Sequence, residues 1–291
     1  MKDEIQTLLS QTLAEPIRIL TSVAGGGGCI SRTEILSLSN GRRVFFKSHP
    51  RPPQDFFRRE AEGLDLLRSA VGAPRVPAVL ALPSAPNPRF IVLEYLPEEP
   101  PGKDFYVNFG RALAALHRKT QDRYGLDRDN FIGKTPQKNT PEKDPIVFFR
   151  ERRIRFQQEL ARKSRLLPAG LDRKLDKLCE KLDGLLDVTG ERPALLHGDL
   201  WSGNCFAGPG QAPCIFDPAA HFGLREADLA MTELFGRLPQ SFYNAYDEAF
   251  PLNPGYDERK DLFNLYHLLN HLNLFGGSYL SSVERIVNRF V

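Results

Sequence analysis

The stretch LLHGDLWSGN, residues 195–204, places a carboxylate and an amide between apolar flanks, and IFDPA adds a second carboxylate downstream. Asp199 could accept a proton from an incoming hydroxyl, because a positioned carboxylate acts as a general base. Asn204 and Asp217 offer hard oxygen atoms of the kind that Mg²⁺ prefers. Any one of them alone fits a turn or strand-end residue. In this order, the set indicates a site for phosphoryl transfer.

A glycine-rich stretch near the N-terminus is a candidate phosphate-binding loop. Four glycines lie in a row between two predicted strands: Gly25, Gly26, Gly27 and Gly28. They could form only a flexible turn, since glycine is common in hairpins. The alternative is a loop whose backbone amides lie over the phosphates of a nucleotide.

Lys47 and Glu60 extend this nucleotide interpretation. Lys47 stands among apolar strand residues in VFFKS, and Glu60 follows thirteen residues later on a predicted helix. Each charge by itself is typical of a solvated surface. As a pair they fit a different role, in which the ammonium holds the α and β phosphates and the carboxylate keeps the ammonium in place.

These motifs together resemble the protein-kinase-like fold and, within it, the aminoglycoside and choline phosphotransferases, which also carry HGD. A narrower likeness is to the fructosamine kinase family, also called the ketosamine kinases. It runs from about residue 24 to the carboxyl terminus and rests on five segments: GGGGCIS, YGLDRDNFIGKTPQKN, LLHGDLWSGN, DPAAHFGLREADLAMTELFG and LYHLLNHLNLFGGSYL. The resemblance implies an α+β, bilobal fold with a small antiparallel sheet in the N-terminal lobe and a mainly helical C-terminal lobe.

The resemblance implies a role for each matching residue around ATP and Mg²⁺. Asp199 would be the general base, and Asn204 and Asp217 would be the metal ligands. Lys47 and Glu60 would form the pair that anchors the phosphates.

Further positions take implied roles around this centre. The segment VLEYL would link the lobes and face adenine with its backbone, at Glu94, Tyr95 and Leu96. Trp201, the only tryptophan, could stack on a sugar substrate, although core filling explains it equally well. Asp228 in READLAM would be a helix aspartate that braces the catalytic loop by accepting its backbone amides.

The implied activity is ATP-dependent phosphorylation of a ketosamine, a sugar joined to an amine by glycation, at the hydroxyl of its third sugar carbon. Ribulosamine and fructosamine adducts, free or protein-bound, are the implied substrates, and deglycation repair is the implied physiology. Two departures from the family pattern, Pro145 and Leu224, leave open which sugar is accepted. An aminoglycoside or choline phosphotransferase and a nucleotide-binding module without chemistry remain alternatives.

The elements that must position these residues divide the chain into two parts. Alternating apolar residues predict strands over 17–47, with a hairpin at Asn40-Gly41. An apolar stripe predicts a helix from Asp55, ended by Gly72 and Pro74, and VPAVLAL and RFIVLEYL predict two more strands. After Pro101 the spacing is mostly helical, at 105–117, 149–160, 171–185, 262–274 and 280–287. We therefore expect a nucleotide-binding lobe over 1–96 and a helical catalytic and substrate lobe over 97–291.

Composition argues against several other classes of protein. Lys and Arg outnumber Asp and Glu by 39 to 36, too slight an excess to indicate nucleic acid or a membrane surface as partner. The N-terminal stretch MKDEIQTLLSQTLAEPI lacks the apolar run of a signal peptide or membrane span, so we expect a cytoplasmic protein. The oligomeric state is left open.

The cysteines and histidines do not favour a metal cluster. The four cysteines contain no CxxC pair, which disfavours a zinc site and a disulfide framework and predicts reduced thiols. Cys29 lies beside the glycine run, where a small buried residue is the simpler explanation and redox regulation is left open. His267 and His271 stand among apolar residues, which favours satisfied core histidines over metal ligands.

Overall fold

The computed structural model describes residues 1–26 and 31–291. The expectations for Gly27, Gly28 and Cys29 lie outside these described residues. In the N-terminal third, one antiparallel sheet joins its strands in the order β1-β2-β3-β5-β4. These strands are β1 (Ile19–Ala24), β2 (Arg32–Leu38), β3 (Arg43–Ser48), β4 (Val79–Ala81) and β5 (Phe90–Glu94).

The two faces of this sheet are covered by different helices. Alternate residues of a strand point to opposite faces, so neighbouring positions of β3 meet different surroundings. Val44 and Phe46 belong to an apolar cluster with Ile5 and Leu9 of the first helix, α1 (Lys2–Leu13). Lys47 therefore points to the other face, towards the helix α2 (Phe56–Arg68).

Helices make up most of the chain after residue 101, as the spacing predicts. They are α3 (Phe105–His117), α4 (Pro145–Phe148), α5 (Phe156–Lys163), α6 (Ala169–Leu185), α7 (Glu226–Leu234), α8 (Gln240–Ala249), α9 (Tyr256–Phe275) and α10 (Leu280–Phe290). A π-helical stretch, Phe149–Arg155, joins α4 to α5 without a break. The α+β class is thus confirmed.

Short antiparallel strand pairs in the helical part hold the polar motifs. In these pairs β6 lies beside β7, β8 beside β11, and β9 beside β10. Their bounds are β6 (Asn130–Ile132), β7 (Thr135–Gln137), β8 (Ala194–Leu196), β9 (Cys205–Ala207), β10 (Pro213–Ile215) and β11 (His221–Gly223). HGD follows β8 directly and Asp217 follows β10, so the apolar run before each motif is a strand, as the sequence indicates.

One apolar cluster runs from the sheet into the helical part. It contains Leu64 and Leu67 of α2, Leu93 of β5, and Phe109 and Leu113 of α3. Burial of such side chains stabilises a fold by about 1.5–3 kcal/mol each. The shared cluster fixes α2, and with it Glu60, against the helical part.

Some helices differ from the sequence expectations. α1 and α8 were not predicted and α7 was implied only by the resemblance, through Asp228, whereas the helices over 105–117, 171–185 and 280–287 were predicted from spacing. In α1 only Ile5 and Leu9 are buried, which is too short a stripe to stand out. α7 buries Glu226 and Asp228 beside its apolar residues, so it lacks a polar face.

Candidate active site

Lys47, Glu60 and Asp217 meet in one buried ion cluster. The Lys47 ammonium donates to Glu60 Oε1 at 2.7 Å and also to Asp217 Oδ1. Only 5% of Lys47 is exposed, so its charge depends on these carboxylates. The pairing of Lys47 with Glu60 agrees with the sequence prediction, and the contact with Asp217 joins the sheet to the loop after β10.

The electrostatics of this cluster keep Lys47 charged. Burial by itself lowers the pKa of Lys47, but the carboxylates of Asp217 and Glu60 outweigh it and raise the pKa above its ordinary value. A permanently charged ammonium at this position is suited to hold an anionic group that enters the site.

The loop after β8 carries Asp199, and Asp228 of α7 holds the backbone of this loop in place. The Asp228 carboxylate accepts the backbone N–H groups of His197, at 2.7 Å, and Gly198, at 2.8 Å. Gly198 has φ +82°, and a Cβ there would lie 2.2 Å from the carbonyl oxygen of Ala219. The bracing that the sequence resemblance implies for Asp228 therefore matches the observed hydrogen bonds.

Asp199 and Asn204 face each other across this loop. Asn204 Nδ2 donates to the backbone oxygen of Asp199 at 2.8 Å and to its Oδ2 at 3.4 Å. Burial, followed by the negative charges of Asp217 and Asp228, raises the pKa of Asp199 to about 7. A carboxylate with a pKa near neutrality can accept a proton and release it again at physiological pH.

Asp217 holds an uncommon backbone conformation, with φ 55°. A non-glycine residue in the left-handed region costs about 1–3 kcal/mol and persists only where its surroundings hold it. His197 provides part of that support through hydrogen bonds to both sides of Asp217. The Nε2 of His197 donates to the carbonyl oxygen of Phe216 at 2.9 Å, and the carbonyl oxygen of His197 accepts from the backbone N–H of Ala219 at 2.9 Å.

A cavity of about 450 Å³ contains most of the predicted site residues. Such a volume is typical of a small-molecule site. The predicted residues that line it are Lys47, Glu60, Asp199, Trp201, Asn204 and Asp217. Gly25, Gly26, Glu94, Tyr95 and Leu96 lie outside its described lining.

The proposed link between the lobes is structurally tied to its surroundings. Glu94 ends β5, and its carboxylate accepts from Arg75 at 2.6 Å. Its backbone N–H donates to the carbonyl oxygen of Ala78 at 2.8 Å.

The next two residues of this link and the first glycine of the glycine-rich stretch also have defined contacts. The Arg43 guanidinium lies over Tyr95, 4.5 Å from the centre of its ring, and Leu96 is buried. Gly25 pairs with Thr33 beside β2. An adenine-facing role for the backbone of 94–96 stays a prediction.

Aromatic residues line one end of the cavity. The Trp201 indole is 37% exposed and makes an edge contact with Phe235 at 6.4 Å. Phe275, which is 50% exposed, packs against His271 at 5.5 Å. The expectation of satisfied core histidines holds only in part, because His271 Nδ1 pairs with the carbonyl oxygen of His267 at 2.8 Å while its side chain is half-buried and lines the cavity. His267 is buried, yet its Nδ1 has no hydrogen-bond partner among the described residues.

The site's oxygen donors fit a magnesium ion. Asn204 uses its Nδ2 on Asp199, which leaves Oδ1 as an acceptor for a cation, and Asp217 contributes a carboxylate beside it. An amide and a carboxylate, with further oxygen atoms from nucleotide phosphates, form the kind of set that Mg²⁺ uses.

The two residues that depart from the family pattern lie elsewhere. Pro145 begins α4, and Leu224 is buried just before α7. Both line a smaller internal cavity beside Gly198, and neither appears in the described lining of the larger one.

The whole sequence, residues 1–291, matches the family profile described as fructosamine kinase. The chain belongs to the fructosamine kinase family. Among similar family members, a "Probable ketoamine kinase" of Vibrio parahaemolyticus is 40% identical over 295 residues, covering 100% of this chain and 99% of that protein. The chloroplastic protein-ribulosamine 3-kinase of Oryza sativa subsp. indica is 36% identical over 289 residues, 98% of this chain and 82% of that protein.

Solved structures agree with this family assignment. A Thermobifida fusca crystal structure described as a "putative fructosamine-3-kinase" superposes with a TM-score of 0.87 at 32% identity, covering 98% of both chains. An ADP-bound aminoglycoside phosphotransferase has a TM-score of 0.64 at 16% identity over the full length of both chains, which shows a shared fold alone. The predicted protein-kinase-like fold is confirmed. Across the described helices of this fructosamine kinase family member, none has the length and apolarity to cross a membrane.

Sequence reasoning missed several residues of the site. Asn130, Phe131 and Ile132 of β6 line the cavity, as does Asn270 of α9. The segment YGLDRDNFIGKTPQKN contributed to the family resemblance, but none of its residues had been given a role. A signal was present in NFIGKTPQ, because a glycine between short extended runs is typical of a hairpin.

Proposed function

We propose that this protein transfers the γ-phosphoryl group of ATP to the hydroxyl on the third sugar carbon of a ketosamine. The observation that carries the proposal is the convergence of Lys47, Glu60, Asp199, Asn204 and Asp217 on one cavity. Family membership and the name of the ribulosamine kinase relative support the acceptor class. Deglycation repair is the corresponding physiology, and we place it in the cytoplasm.

Each residue of the site has one role in the transfer step. The acceptor oxygen attacks the γ-phosphorus, the bond from that phosphorus to the bridging oxygen breaks, and ADP leaves with the electron pair. Asp199 takes the proton of the attacking hydroxyl. Lys47 neutralises phosphate charge, and Glu60 keeps its ammonium in position.

Asn204 and Asp217 would hold Mg²⁺, which would neutralise charge on the phosphate oxygens. The other assigned positions complete the proposal. Gly25 and Gly26 would belong to the loop over the phosphates, and the backbone of 94–96 would face adenine. Trp201 would lie against the sugar. The division at residue 96 belongs to the same proposal, because the sheet ends at Glu94 and helices dominate after it.

The decisive experiment compares acceptors in one assay. ADP release would be measured with ribulosamine, fructosamine, choline and an aminoglycoside in parallel, at equal enzyme concentration. We expect release with the two ketosamines at rates far above the ATPase background. ADP release with only the aminoglycoside or only choline would show that the acceptor is not a ketosamine. ATP binding without transfer to any ketosamine would indicate a non-catalytic module.

A further inference from the structure

Asp217 follows β10 in a left-handed backbone conformation, and two carbonyl groups just after it accept hydrogen bonds from buried side-chain amides. Gln137 Nε2 donates to the carbonyl oxygen of Ala219 at 2.9 Å. Asn130 Nδ2 donates to the carbonyl oxygen of Ala220 at 2.8 Å. Both amides belong to the hairpin formed by β6 and β7.

The two amides also bond to each other and to a third amide. Asn130 Oδ1 accepts from Gln137 Nε2 at 2.9 Å and from Asn139 Nδ2 at 2.7 Å. All three side chains are at least nine-tenths buried, with exposures of 7%, 1% and 0% for Asn130, Gln137 and Asn139. Buried amides without partners are costly, so a fully connected set of this kind holds its members in one arrangement.

The ends of the network determine which way each amide points. Arg153 has only N–H groups to offer, and its Nη2 donates to Asn139 Oδ1 at 3.0 Å. Asn139 Nδ2 must then face Asn130 Oδ1, which leaves Asn130 Nδ2 for Ala220. Gln137 Nε2 must in turn face Asn130 Oδ1 and the carbonyl oxygen of Ala219, which can only accept, and Gln137 Oε1 then accepts from the Tyr266 hydroxyl at 2.7 Å.

We propose that Gln137 and Asn130 are positioning residues for the metal ligand Asp217, with their amide orientation set by Arg153 through Asn139 and with the Tyr266 hydroxyl as the partner of Gln137 Oε1. Gln137 lies outside the described lining of the cavity, so it acts through the backbone of 219. This inference rests on the proposed function insofar as Asp217 binds the metal. Hydrogen bonds that orient metal ligands typically change metal affinity or activity by about 10–100-fold when they are lost.

The test is a pair of matched substitutions at two buried glutamines. Gln137→Met keeps the side-chain length and removes the bonds to Ala219, Asn130 and Tyr266. Gln158→Met makes the same change at a residue that is also 1% exposed but bonds to Asp172 instead. Mn²⁺ binding to the ADP-loaded protein would be titrated by electron paramagnetic resonance, together with kcat, acceptor KM and thermal unfolding.

We expect Q137M to weaken Mn²⁺ binding by about tenfold and to lower kcat by a similar factor with little change in acceptor KM. Q158M should lose stability while keeping Mn²⁺ affinity and kcat. Equal Mn²⁺ affinity in Q137M and wild type would overturn the positioning role. A wild type that binds no Mn²⁺ with ADP would instead refute the metal site of the proposed function, and this inference with it.

Two further variants decide the question if Q137M does not fold. Tyr266→Phe removes only the hydroxyl that bonds to Gln137 Oε1, and we expect a smaller loss of Mn²⁺ affinity in the same direction. Asn130→Asp keeps the acceptor for Gln137 and Asn139 but cannot donate to Ala220, and we expect a loss comparable to Q137M. Unchanged Mn²⁺ affinity in both variants would contradict the proposal.

Discussion

Lys47 and Asp217 form a direct ion pair although 170 positions separate them in the chain. The pair joins the central strand of the sheet to the loop that carries the proposed metal ligand. Glu60 contacts the same ammonium at 2.7 Å, so one buried cation serves two carboxylates. Removal of the Lys47 ammonium would leave two negative charges close together with no cation between them.

The first prediction concerns that cation. Lys47→Met should lower kcat/KM by roughly a hundredfold or more, because a preorganised positive charge that neutralises phosphate charge in the transition state is typically worth that much. The unfolding free energy should fall by about 3 kcal/mol, since removing the ammonium leaves the buried Glu60 carboxylate uncompensated. Steady-state kinetics and urea unfolding measure the two effects.

Lys138→Met is the matched control for this prediction. Lys138 pairs with Asp129, but the two side chains are 43% and 39% exposed. An exposed pair contributes about 0–1 kcal/mol, so activity and stability should both stay near wild type. Equal losses in K47M and K138M would contradict the role of the buried cluster.

The second prediction concerns the proposed base. Asp199→Asn should reduce kcat by about 10²–10⁴-fold, the usual contribution of a general base. ADP affinity should stay within about twofold of wild type, because the change removes a proton acceptor and retains the side-chain shape. Isothermal titration with ADP and single-turnover kinetics separate binding from chemistry, and Asp65→Asn on the exposed side of α2 is the control. Turnover that survives in D199N would exclude Asp199 as the base.

The third prediction follows from the pKa of Asp199, which burial and the nearby carboxylates raise to about 7. Because the folded-state pKa lies above the unfolded value of about 3.9, ionisation destabilises the folded protein. The penalty is absent below about pH 4, grows as the pH rises towards 7, and is complete above it. D199N should therefore unfold at a higher temperature than wild type at pH 8.

The size of this effect is measurable by scanning calorimetry in metal-free buffer. Each kcal/mol that is relieved should raise Tm by roughly 2–4 °C in a chain of this size. At pH 4.5 the two proteins should have nearly the same Tm. A Tm difference that does not depend on pH would mean that Asp199 is not the group responsible.

The fourth prediction concerns the exposed indole. Trp201→Ala should raise the acceptor KM by about 2–10-fold, which corresponds to the 0.5–1.5 kcal/mol of an aromatic contact, and leave the ATP KM unchanged. Trp201→Phe should keep most of the wild-type affinity. Since the residue is 37% exposed, W201A should cost far less stability than the loss of a core aromatic residue. A large Tm loss with an unchanged acceptor KM would identify Trp201 as core filling.

Local patterns in the sequence determined much of the fold. The apolar stripe of α2 and the Asn40-Gly41 hairpin depend on backbone periodicities and turn preferences, which act over a few residues and can be recognised in one sequence. The order of Asp199, Asn204 and Asp217 was likewise recognisable, because chemistry requires those residue types. α1 and α7 gave no periodic signal because tertiary contacts, rather than a clear amphipathic stripe, stabilise them, and only the resemblance implied a helix at Asp228.

Only the tertiary structure decided which polar groups meet. Gln137 reaches the carbonyl of Ala219 across 82 positions, and Tyr266 reaches Gln137 across 129. A glutamine or tyrosine has the same conformational preferences wherever its hydrogen-bond partner lies in the chain. The neighbouring residues in the sequence therefore contain no signal for such bonds. The sequence by itself determined the elements and the reacting groups. Their convergence on one cavity was decided by long-range packing, because burial forces each polar group to find a partner wherever the folded chain supplies one.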